Sequence, residues 1–145
     1  MVLALQDIEK IDYYLKKAEL ILHKLFKTTK EPKLLKDILI NIYLSHKVLV
    51  QNYLSKKDQE RIIDEQLIII SKQTFVEQKH LQVIKEVYEL RQKEESCVTE
   101  FTRREALILC DEHFNAEIIT YEDLELFIHK TKKLLPLLYR GINND

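Results

Sequence analysis

The groups in this sequence that could do chemistry are its histidines, its two cysteines and scattered carboxylates and arginines. Cys110-Asp-Glu-His113 sets a thiol and an imidazole close together, with Cys97 upstream. A closed zinc site needs about four ligands in defined pairs. A lone C-x-x-H supplies two, so a buried thiol and a turn histidine is the simpler reading, and no metal is expected. Cys97 and His113 could meet as nucleophile and base, but that pair needs a third group to orient the base. Nothing in the sequence marks one. His23, His46, His80, His113 and His129 include no two ligands flanking a catalytic Glu at helical spacing. His46 and His80 fall on or near apolar helix faces and read as satisfied core or interface histidines. Asp7, Glu9, Asp12, Asp111, Glu112, Glu122, Asp123 and Glu125 mark no acid–base pair. Most stand at helix starts, where the positive dipole end favours them. Arg103-Arg104 is a small basic spot, read first as a solvated pair and second as an RNA contact.

Composition narrows the field. The chain has 145 residues, a size that suits one domain, residues 1–145. It is 46% apolar and 32% charged, yet its net charge is −1. Such a chain has no overall field to hold nucleic acid or an acidic membrane. With one glycine and two prolines it lacks the loops that cradle phosphates, and helix is favoured over an all-β fold. No uncharged run approaches the ~18 residues of a membrane helix. The opening MVLALQDIEK has no basic segment ahead of its apolar patch, so no signal peptide is expected. Two cysteines make no disulfide framework, and a cytoplasmic setting with reduced thiols is expected.

The elements that would position these groups follow from periodicity. Residues 74–98 read as the best-signalled helix, opened by a capping box at Thr74-Phe-Val-Glu77. Val76, His80, Val83, Ile84, Val87, Leu90 and Arg91 share one face of it. Before it, Asp7 can cap a first helix reaching about Phe26, with Ile8, Ile11, Leu15, Ala18, Leu22 and Leu25 as its stripe. Thr28-Thr-Lys-Glu31 reads as a loop, and Pro32 opens a second helix. That helix is apolar on more than one side, which places it centrally or at an oligomer interface. A third helix is expected over 56–72, with Ser55-Lys-Lys-Asp58 as its capping box. The β-branched run Leu67-Ile-Ile-Ile70 leaves a strand open there.

After Cys97 the pattern changes to one alternating segment and two short apolar runs. Val98-Thr-Glu-Phe-Thr102, Ala106-Leu-Ile-Leu-Cys110 and Ala116-Glu-Ile-Ile119 read as a small β-hairpin or meander, with a turn at Asp111-Glu-His-Phe-Asn115. Thr120-Tyr-Glu-Asp123 opens a last helix, whose final turn Pro136 should kink or loosen before Gly141 and the tail end it. The fold class expected is mainly α: a bundle of about five helices with a small β-hairpin between the fourth and fifth.

Asp7-Ile-Glu-Lys-Ile-Asp-Tyr-Tyr-Leu-Lys-Lys-Ala18 looks like the opening helix of the HEPN superfamily of small helical domains. Asn41-Ile-Tyr-Leu-Ser45 is similar in placing an aromatic within a long buried helix, and Val87-Tyr-Glu-Leu-Arg91 resembles the helix that carries a Leu-Arg before the family motif. The resemblance implies a dimer and, in active members, an RNase built on an Arg, four to six intervening residues and then a His. Arg91 stands at the Arg place, but Ser96, Cys97 and Val98 occupy the His place. Without the imidazole there is no general acid or base there. The resemblance therefore implies a non-catalytic scaffold or interaction member, a homodimer or holder of a protein partner; from the residues themselves no cofactor and no membrane are expected. The alternative is a divergent RNase or RNA-binding, toxin-like protein. In it Arg91, Arg103 and Arg104 would contact phosphates, and His80 or His113 would move protons.

Overall fold

The computed structural model describes residues 4–143. Helix α1 (Leu5–Leu20) passes without a break into a π-helical stretch (Ile21–Phe26) and a last turn, α2 (Lys27–Thr29). The wider turn rotates the buried face. Leu25, expected inside at ideal helical spacing, is exposed, and Phe26 is buried in its place. Phe26 then stacks on Tyr121, ring centroids 5.7 Å apart. Lys30 stops the helix in the left-handed region. Thr28 and Thr29, expected in a loop, form part of the last turns, with hydroxyls donating to the Lys24 and Leu25 carbonyls.

Pro32 stands at the start of α3 (Lys33–Tyr53). Among its 21 residues only Lys33, Asp37, Lys47 and Gln51 are exposed. The chain itself surrounds α3: α1, α4, α5, α6 and the sheet all touch it. Much of its second apolar side is thus covered within the chain, with Ile40, Tyr43, Leu44 and Val48 half-buried.

Helix α4 (Ile63–Thr74) starts later than expected. Ser55 does accept the Asp58 N–H at 3.2 Å, but the turn it opens is a 3₁₀ turn at Asp58–Glu60. Gln66 ties that turn to α4 by donating to the Asp58 and Gln59 carbonyls. The Leu67–Ile70 run is helical.

The capping box at Thr74 does not form. Thr74 ends α4, and its hydroxyl turns back to the Ile70 carbonyl at 2.7 Å. Phe75 takes the left-handed cap position, and α5 (Gln78–Glu95) starts after Glu77 with no side-chain cap. A threonine hydroxyl serves either end of a helix, and here the preceding helix claims it. Along α5, Leu81 is buried and His80 is exposed, which corrects the core reading of His80.

Three strands follow: β1 (Thr99–Arg103), β2 (Ala106–Cys110) and β3 (Ala116–Ile119), an antiparallel meander where the simpler expectation was a hairpin. Leu107, Leu109 and Ile119 point at the helices and are buried. Helix α6 (Tyr121–Asn143) opens on a complete capping box. Asp123 accepts the Thr120 N–H at 3.0 Å, and Thr120 accepts the Asp123 N–H at 3.3 Å. Pro136 lies within α6, yet the helix continues to Asn143. The apolar opening at residues 1–3 and the last tail residues, 144–145, lie outside the described residues. Among the described residues no helix is long and apolar enough to cross a membrane.

Candidate functional site

Arg91 sits one turn before the end of α5, so residues three and four further on share its face. Its guanidinium pairs with Glu94 and, at 3.1 Å, with Glu95. It also lies over the Tyr43 ring of α3, 5.7 Å from the centroid. The Arg91 side chain is 21% exposed and that of Glu94 only 7%. A carboxylate buried to that degree needs cations beside it. Lys36 of α3 supplies a second one, 3.2 Å from Glu94 and 3.6 Å from Glu100 of β1. Arg91, Glu94, Lys36 and Glu100 therefore clamp α5, α3 and the first strand together.

Beside the clamp lies a cleft of about 330 Å³ floored by Tyr43 and Tyr88, whose rings are 5.0 Å apart. Burial, and then the Glu95 carboxylate, raise the Tyr43 hydroxyl above its ordinary pKa, while Arg91 pulls the other way. Burial likewise raises Tyr88. A neutral phenol does not abstract protons near neutrality. Among the described residues no histidine lines this cleft. Arg91 Nε is buried with no hydrogen-bond partner among them.

The other residues singled out by type lie apart. Arg103 is exposed on β1, and Arg104 occupies the β1–β2 turn with φ 56°. His113 is exposed in the β2–β3 turn, 3.6 Å from Glu112. The length of β2, roughly 15 Å, separates the two turns. Asp111 organises the second turn by accepting the backbone N–H groups of His113 at 2.8 Å and Asn115 at 2.9 Å. The bonds from Asn115, then that from His113, hold the Asp111 carboxyl below its usual range. Cys97 donates to the Thr99 carbonyl rather than facing His113. No group of three or more metal-ligating side chains converges among the described residues.

One arrangement was not visible in the residue types. In the sheet register Phe101 pairs with Ile108, and Ile108 with Ile118. Paired residues point to the same face. The three therefore form an apolar row across the side turned away from the helices. Phe101 is 44% exposed and Ile118 57%. The alternation of Val98–Thr102 and the two short apolar runs were the available signal, but the row exists only in the register.

Comparison with protein-family models, with curated proteins and with solved structures finds no match.

Proposed function

We propose that this chain is a non-catalytic interaction domain, acting through self-association or by holding a protein partner. One observation carries the non-catalytic half. The Arg91 guanidinium is committed to Glu94, Glu95 and Tyr43 inside the chain, and no histidine lines the cleft beside it among the described residues. A guanidinium neutralised in this way is poorly placed to bind a phosphate. The interaction half is supported by the uncovered row Phe101, Ile108 and Ile118 and by the open edge of β1. The HEPN-like reading accompanies this proposal on the strength of the first, second and Arg91-bearing helices, as a member without the RNase pair.

The test is cleavage of single-stranded and hairpin RNA by the unmutated chain, with chelator and with magnesium, manganese or zinc. The expected result is intact RNA in every condition. Cleavage that disappears in Arg91→Ala and His113→Ala would overturn the proposal in favour of the divergent RNase.

A further inference from the structure

We infer that the sheet is completed by a second copy of this chain, β1 against β1 across a two-fold axis, as one six-stranded antiparallel sheet. This rests on the interaction reading above and names the partner.

Strand β1 is an edge, bonded only to β2, and all five of its residues are exposed. Leu107, Leu109 and Ile119 of the other two strands are buried, whereas β1 meets the helices through the Glu100–Lys36 pair at 3.6 Å. An unpaired edge strand presents a row of free N–H and C=O groups, a template for another strand. The other edge, β3, is shorter and partly covered, with Ile119 buried and Glu117 half-buried.

The hydrogen-bond phase of β1 suits its own copy. A two-residue turn joins Arg103 to Ala106, so those residues form a hydrogen-bonded pair. Pairs alternate along an antiparallel ladder. Phe101 and Thr99 thus also bond β2, which leaves the backbone groups of Glu100 and Thr102 pointing outward. A two-fold axis through Phe101 brings Glu100 of one copy against Thr102 of the other, twice, and each meeting exchanges two hydrogen bonds. Phe101 then faces Phe101 of the second copy in the non-bonded pair, where Cα atoms approach to about 4.5 Å and side chains are closest. The two apolar rows join end to end.

Charge favours the same arrangement. The strand carries Glu100 near its start and Arg103 at its end, with Arg104 in the turn beyond. Antiparallel pairing lays the start of one copy on the end of the other. Glu100, already 3.6 Å from Lys36 of its own chain, gains Arg104 in the turn of the second copy as a further cation on the same side. Parallel pairing would set like charges together.

The test uses the full chain with Cys97→Ser and Cys110→Ser. Adding Phe101→Cys should give a disulfide-linked dimer on mild oxidation. Thr99→Cys, which the axis sets against Arg103 of the second copy, should link at least about tenfold less. Thr102→Pro removes an outward N–H and leaves the β1–β2 ladder intact. It should raise the dissociation constant at least about tenfold in sedimentation, a loss of 1.4 kcal/mol or more, with the helical circular dichroism unchanged. Should that variant fail to fold, hydrogen exchange of the unmutated chain takes its place. Glu100 and Thr102 amides should then slow with rising concentration while the Phe101 amide does not. A monomer up to high micromolar concentration overturns the inference. So does a dimer that Thr102→Pro leaves intact, or one that links equally through position 99. None of these outcomes makes the chain an RNase, and RNA cleavage would leave the dimer standing, so the two proposals fail separately.

Discussion

His46 of α3 and Thr131 of α6 meet in the buried interior, imidazole Nε2 to hydroxyl, at 2.8 Å. The Thr131 hydrogen is already given to the Phe127 carbonyl at 2.7 Å. The imidazole must therefore donate, which fixes the proton on Nε2. Nδ1 is left buried with no partner among the described residues. The expected core histidine is thus satisfied on one side only.

Acid should destabilise the fold through this ring. Burial lowers the His46 pKa from 6.5 to about 3. Between those values the unfolded chain binds the proton and the folded chain does not. The contribution is fully present above pH 6.5 and is lost progressively as pH falls toward 3. At 1.36 kcal/mol per unit the loss amounts to roughly 5 kcal/mol. Urea unfolding from pH 7 to 4 should show this slope, and His46→Leu should flatten it. An equal slope in that variant would assign the acid sensitivity to other groups.

Thr131→Val should cost about 1–3 kcal/mol, because it strands the buried Nε2–H. His46→Leu combined with Thr131→Val removes both polar partners and should recover a large part of that loss. A double-mutant cycle by urea unfolding measures the coupling. Simple additivity would mean that the two groups do not interact.

The clamp at Glu94 predicts that Arg91 is structural. Arg91→Ala leaves a carboxylate of 7% exposure with Lys36 as its remaining cation partner, and should cost about 2–4 kcal/mol. Lys36→Ala should cost less than about 1 kcal/mol, since that side chain is 37% exposed. Chemical denaturation of both variants checks the order. Equal small losses would argue that Glu94 is rehydrated without Arg91.

Phe75 holds the left-handed cap between α4 and α5 at φ 60° while 92% exposed. A bulky residue there pays a steric cost and gains almost no burial. Phe75→Asn or Phe75→Gly should raise stability by about 1 kcal/mol, seen as a higher melting temperature. A fall in melting temperature would reveal a packing role for the ring.

The capping box at Thr120 should matter in the ordinary range. Thr120→Ala and Asp123→Ala should each cost about 1 kcal/mol, with amide exchange quickening in the first turn of α6. Unchanged exchange there would show that packing alone holds the helix start.

Much of the fold was legible because its signals are local. Ala106–Cys110 and Ala116–Ile119 are short apolar runs, and the strands fall on those bounds. Thr120-Tyr-Glu-Asp123 spells a capping box and forms one. Thr74-Phe-Val-Glu77 spells another and does not, because residues 63–74 already form a helix that takes the Thr74 hydroxyl. Leu25 was misplaced because a π-helical turn shifts the phase that ideal spacing assumes.

Sequence by itself determined the elements: stripes at steps of three and four, alternation by two, and an Arg91 with no histidine after four to six intervening residues. Each depends on neighbours along the chain, whose spacing dihedral geometry controls. Only the tertiary structure decided which polar groups met. His46 finds Thr131 across 85 residues, and Lys36 finds Glu94 and Glu100 from another helix. The row Phe101, Ile108 and Ile118 exists because the strands pair in that register. Such meetings follow from how buried faces pack in three dimensions, which no local period encodes.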